Sequence, residues 1–138
     1  MLDFRNAVGA RKTLVTISQQ LGLGVQIFGY MANSRNPIRF GLIGCGRVTE
    51  TRHLPALQPL EGAEVVALSD ISPTRLKEVA DVFHIKGRHI DYQQLLSDPS
   101  IDAVAVCVPA QFHVEVALAA LDAGKHVFWE NSKPFGLF

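Results

Sequence analysis

The sequence is short of several things, and each shortage removes a class of protein. Its two cysteines, Cys45 and Cys107, lie far apart, with no Cys-x-x-Cys spacing and no paired histidines. That pattern holds no zinc site and no disulfide framework, so a reduced, cytoplasmic protein without a metal is the expectation. Neither charge is in excess, with 13 basic residues against 13 acidic ones. A neutral chain carries no electrostatic footprint for nucleic acid or an anionic membrane surface. Long apolar runs are missing too. LVTISQQLGLGVQIFGYMA, after Arg11 and Lys12, is broken by Ser18, Gln19 and Gln20 and by glycines. It falls short of the roughly 18 apolar residues of a membrane span, and the polar break argues against a secretory leader.

What is present is ordinary globular composition: 138 residues, 48% of them hydrophobic, enough for one domain with a proper core. MANSRNPIRFGLIGCG, from Met31, reads as a domain opening on its first strand. Residues 1–36 are therefore expected to be a poorly ordered extension, with the domain running over 37–138.

Within the domain, short β-branched runs alternate with helical patterns. IRFGLIG (38–44) reads as a strand, followed by a helix that Pro55 kinks or ends early. EVVALSD (64–70) is apolar from Val65 to Leu68, the mark of a strand buried on both faces. Ser72-Pro73 is an N-cap followed by proline at the first helical position, opening PTRLKEVADVF. A short strand near 86–90 precedes the helix YQQLLS, with Asp91 and Gln94 spaced as a capping box. DAVAVCVP (102–109) is a third buried strand, and a helix over 111–123 stops at Gly124. HVFW (126–129) is the last strand. Alternation with short links implies parallel pairing through right-handed crossovers, a doubly wound α/β sheet.

One local motif carries chemistry. In GLIGCGRVTE, Gly44 and Gly46 form G-x-G between the first strand and the first helix. In a dinucleotide fold the first glycine permits the tight turn, and the second lets a pyrophosphate approach the backbone at the helix N-terminus. That assigns the loop Gly44, Cys45, Gly46, Arg47 and Val48 to the diphosphate. The third small position of the motif is Thr49 instead, which either pushes the helix off the sheet or fills the gap with its methyl. Asp70 ends the second strand 21 residues beyond Thr49, where a carboxylate can accept hydrogen bonds from an adenosine ribose. It would also repel a 2′-phosphate, favouring NAD, while Arg75 five residues on keeps NADP open. A plain turn reading competes with each of these residues. For Cys45, a helix N-terminus would lower the thiol pKa, and a small turn-filling role is the alternative. His53, His89, His126 and Trp129 read as structural or surface residues rather than as acids, bases or ligands.

Taken together, FGLIGCGRV, HLPAL, ALSD, YQQLLSDPSIDAVAVCVPAQFHVEVALAALDAGKHVFWE and the closing Lys133-Pro134 resemble the N-terminal domain of the glucose–fructose oxidoreductase, inositol dehydrogenase and rhizopine catabolism (Gfo/Idh/MocA) family. The resemblance runs from Ile38 to about Pro134. It implies NAD(P)-dependent oxidation or reduction of sugars and polyols. By the same resemblance, Pro109 and His113 border the nicotinamide half, Glu130 contacts its ribose, and Lys133 is the catalytic residue at the reacting hydroxyl. Two departures stand out. Ala110 replaces the family's asparagine, and Asn131-Ser132 is inserted between Glu130 and Lys133. Two residues span up to about 7 Å of chain, so either the insertion bulges out or Asn131 takes the lysine's place.

The family's substrate pocket comes from a C-terminal domain. The expectation is thus a dinucleotide-binding domain that is catalytically incomplete alone and has an open sheet edge beside the last strand. A sugar or polyol would bind only if a second domain is supplied. The open edge would suit a second copy or a partner chain, which keeps a non-catalytic dinucleotide sensor or interaction module as the alternative reading.

Overall fold

A computed structural model describes residues 14–17 and 36–130. Six strands, β1 (Leu14–Ile17), β2 (Ile38–Ile43), β3 (Ala63–Ser69), β4 (Gly87–His89), β5 (Ala103–Val106) and β6 (His126–Glu130), form one sheet in the order β1-β6-β5-β2-β3-β4. Every neighbouring pair is parallel. The chain steps from β2 outward through β3 to β4, then returns past β2 to β5 and β6. The order of connection therefore reverses between β2 and β5, and open α/β sheets open a crevice at the strand C-termini of such a point.

Between β2 and β3 a π-helical turn, Thr49–His53, runs into the short helix α1 (Leu54–Leu57). Pro55 accounts for the wide turn, since it lacks an N–H and its ring crowds the carbonyl four residues back. Instead the Leu54 N–H closes on the Thr49 carbonyl, five residues back. Helix α2 (Pro73–Val82) is capped by Ser72, whose hydroxyl accepts from the Arg75 N–H. Helix α3 (Tyr92–Leu96) is capped by the Asp91 carboxylate, which accepts from the Gln93 N–H at 2.9 Å. A 3-10 turn, Ala110–Phe112, leads into α4 (His113–Asp122), and Gly124 at φ 77° ends it in the left-handed conformation.

The sheet has a core on each face. Phe40, Leu42 and Leu68 pack with Leu54, Leu76 and Val79 on one side. Ile43, Val104, Val106 and Val127 pack with Leu95, Val116 and Ala120 on the other. β5 is buried at every position, as a central parallel strand should be. β3 departs from expectation in the middle, where Val65 and Val66 are only half-buried and unbroken burial runs from Ala67 to Ser69. β4 pairs with β3 only from Ala67 onward, so the earlier residues have a neighbour on one side alone.

The expected open edge beside β6 is corrected. Leu14–Ile17 pairs along Val127–Glu130, so the extension contributes an edge strand. LVTI is a short β-branched run, and β6 offered it a row of backbone groups to satisfy. The remainder of the expected extension, residues 1–13 and 18–35, lies outside the described residues. Among the described residues no helix is long and apolar enough to cross a membrane.

Candidate functional site

Three strand ends meet at the crevice. The Gly44 N–H donates to the Ser69 carbonyl at 2.7 Å, tying the end of β2 to β3. The Cys107 N–H donates to the Ile43 carbonyl at 2.8 Å, tying it to β5. Gly44 sits at φ 104°, and a Cβ there would lie 2.6 Å from the Cys107 carbonyl oxygen. Glycine is thus required twice over, by conformation and by the closeness of the neighbouring backbone. Gly46 is the opposite case: a Cβ there would meet no atom within 4 Å. Gly46, Arg47 and Val48 are exposed residues, and the open space beside Gly46 leaves its backbone free for a ligand to approach.

The acid of β3 is part of the same structure. Asp70 Oδ2 accepts from the Cys45 N–H at 2.7 Å, and Oδ1 accepts from the Ser72 N–H at 2.8 Å. A carboxylate accepts about four hydrogen bonds, so Asp70 retains capacity for a pair of hydroxyls. Beside it Ile71 is 88% exposed, an unusual position for a large apolar side chain.

Arg75 holds the other end of residue 45. Its Nε–H donates to the Cys45 carbonyl at 2.8 Å, while one Nη pairs with Glu50 and the other reaches Glu78 at 3.5 Å. Both backbone groups of Cys45 are therefore pinned, one from the turn after β3 and the other from the first turn of α2. The Cys45 thiol is buried, with its pKa pushed up to about 12 by desolvation first and the Asp70 charge second, against a smaller opposing effect of Arg75. Of the two readings of Cys45, the structure supports the turn filler and removes the reactive thiolate.

Thr49 resolves the irregular third position of the motif. It is completely buried, and its hydroxyl donates to the Gly44 carbonyl at 2.6 Å. A glycine there would leave that carbonyl without this donor; the buried threonine closes the turn.

Pro109 and His113 follow β5 in the chain. Pro109 is exposed at the end of the β5 strand run. His113 is buried, its Nε2 2.5 Å from the Val108 carbonyl and its ring edge-on to Trp129 at 5.1 Å. A carbonyl only accepts, so Nε2 carries the proton, and the imidazole is oriented by the chain that follows β5. Glu130 closes β6, and Lys133 lies outside the described residues. Sequence reasoning missed Glu50 as the partner of Arg75 and Thr49 as a donor. The only signals for them were an acid next to the motif and a hydroxyl where a small residue was due.

A parallel sheet with a reversal point, a glycine turn at its mouth and an oriented carboxylate on the adjoining strand define a Rossmann-type domain. A family model for "Oxidoreductase family, NAD-binding Rossmann fold" matches residues 38–137, and the chain belongs to that Gfo/Idh/MocA family. Myo-inositol 2-dehydrogenase of Thermotoga maritima is 37% identical over 100 residues, covering 72% of this chain and 29% of the relative. Inositol 2-dehydrogenase of Acidothermus cellulolyticus is 40% identical over 101 residues, 73% and 29% respectively. The crystal structure of a 3-ketoreductase from Actinomadura kijaniata in complex with NADP and TDP-benzene superposes with a TM-score of 0.67 at 39% identity. It is matched over 70% of this chain and 30% of its own. The chain thus spans less than a third of the relatives it resembles.

Proposed function

We propose that this chain binds a dinucleotide, NAD in preference to NADP, and supplies the cofactor-holding part of a sugar or polyol oxidoreductase. In this reading the diphosphate rests on the exposed amides of Gly46, Arg47 and Val48, and Asp70 receives the hydroxyls of the adenosine ribose. Exposed Ile71 lies where covering it with a flat base is favourable, at about 25 cal/mol per Å² of apolar surface removed from water. Pro109 and His113 border the nicotinamide half, with Glu130 at its ribose. The bound dinucleotide would accept or donate a hydride at its nicotinamide ring. Lys133 as the group at the reacting hydroxyl, and the sugar or polyol itself, come from the family likeness. The relatives' activities belong to proteins of which the matched segment is only 29%, so turnover falls to a site completed by groups beyond residues 38–130.

The observation that carries the reading is the pairing of an open, side-chain-free approach at Gly46 with a carboxylate already oriented by two backbone donors. Preorganised groups lose little freedom when a ligand arrives. The test is a comparison of ligands: NAD, ADP and adenosine titrated separately. Affinity should rise from adenosine to ADP to NAD, and a chain that held adenosine as tightly as ADP would have no working diphosphate cradle.

A further inference from the structure

We infer that Glu50 sets the dinucleotide preference of this crevice by engaging Arg75, the cation a 2′-phosphate would otherwise use. The inference rests on the proposed seating of the adenosine ribose at Asp70.

Asp70 and Arg75 grip opposite ends of the same residue. The acid takes the Cys45 N–H and the arginine gives to the Cys45 carbonyl. A ribose held by Asp70 therefore brings its 2′ position next to the guanidinium. Arginine is the side chain best shaped for a phosphate, with a fixed fork of donors. Here three of its donors are already directed at this chain's own acceptors: Nε at the Cys45 carbonyl, one Nη at Glu50 and the other at Glu78. Two carboxylates offset its charge, and Asp70 adds a third. The neighbourhood of the 2′ position thus carries net negative charge despite the arginine.

Stability does not explain the pair. Arg75 and Glu50 are each about one-third exposed, 32% and 36%, and exposed ion pairs contribute little to folding. The arginine's anchor to the loop is the Nε bond, which involves neither glutamate. Glu50 is therefore separable from the loop's architecture, and what it controls is whether the outer face of the guanidinium is neutralised.

The experiment measures the affinities of NAD and NADP side by side, by calorimetry, in the unaltered chain, in Glu50→Gln, in Glu50→Ala and in the double variant Glu50→Gln/Arg75→Gln. Thermal unfolding of each checks that the fold is retained. The unaltered chain should prefer NAD. Each single variant should raise the NADP-to-NAD affinity ratio about tenfold, the low end of what one charge-assisted hydrogen bond contributes. The double variant should lose that gain, which a general loss of negative charge would not. A ratio unmoved in both single variants, a gain that survives removal of Arg75, or an unaltered chain that already prefers NADP overturns the inference. Failure of the unaltered chain to bind either dinucleotide instead removes the seating on which it rests.

Discussion

The carboxylate of Asp70 and the backbone N–H of Cys45 are 2.7 Å apart, which joins the acid ending β3 to the glycine turn ending β2. Neither half of the crevice is thus positioned independently. The turn is held by the acid from one side and by Arg75 from the other.

The two glycines should respond in opposite ways to alanine. Gly44→Ala places a Cβ 2.6 Å from the Cys107 carbonyl oxygen at φ 104°. Conformation alone costs about 1–3 kcal/mol, and urea unfolding should show at least that loss. Gly46→Ala meets open space and should unfold as the parent does. Its deficit should appear in NAD affinity, on the order of tenfold weaker, comparable to one charge-assisted hydrogen bond.

Thr49 separates a hydroxyl from a methyl. Thr49→Val keeps the shape but leaves the Gly44 carbonyl without its 2.6 Å donor, at a cost of about 1–3 kcal/mol. Thr49→Ser keeps the bond and gives up one buried methyl, about 0.8 kcal/mol. Urea midpoints should place serine between the parent and valine; valine equal to the parent would contradict the closed turn.

Much of this architecture was legible beforehand. Alternating β-branched runs and capped helices give away β2, β3, β5 and β6, because local pattern and buried position agree there. The Ser72 cap acts as its sequence suggests, and Asp91 caps its helix too, but through the Gln93 N–H rather than in the expected box with Gln94. What was hidden is non-local. Glu50 and Arg75 are 25 residues apart and meet only because β2 and β3 pair in parallel. The half-burial of Val65 and Val66 depends on where β4 starts, and the pairing of Leu14–Ile17 with β6 spans more than a hundred residues. Thr49 was read by analogy with glycine, which has no hydroxyl, so its hydrogen bond was invisible to the comparison.

Cys45 should be inert. With its thiol pKa raised to about 12 by burial and the Asp70 charge, the thiolate is scarce at neutral pH. Thiol reagents at pH 7.5 should modify it only as fast as the chain unfolds, measured by labelling in native and in urea-unfolded protein. The folded pKa lies above the ordinary 9.0, so the folded state binds more protons between those values. Stability from this group is complete below pH 9 and falls as pH rises toward 12.

Lys125 should show the reverse slope. Its ammonium is buried and donates to the carbonyls of Asp98 at 2.6 Å and Ile101 at 2.8 Å, stitching the turn before β5 to the start of β6. Burial lowers its pKa below 10.5, against the opposing pull of Asp98 and Asp102. In the window between the lowered value and 10.5 the unfolded chain binds more protons, so this group makes stability rise with pH. Lys125→Met should cost about 1–3 kcal/mol at pH 7, the penalty for stranding buried acceptors, and should remove that alkaline rise. Denaturant melts from pH 7 to 10.5 distinguish it from Cys45→Ala, which should remove the fall.

The central claim is that this crevice holds a dinucleotide, and calorimetric titration of NAD into the full chain tests it most directly, with thermal unfolding run alongside. Saturable one-to-one heat and a higher unfolding temperature at saturating NAD are expected, both sharply reduced in Asp70→Ala. No heat and no thermal shift at millimolar NAD, NADH and NADPH would contradict it.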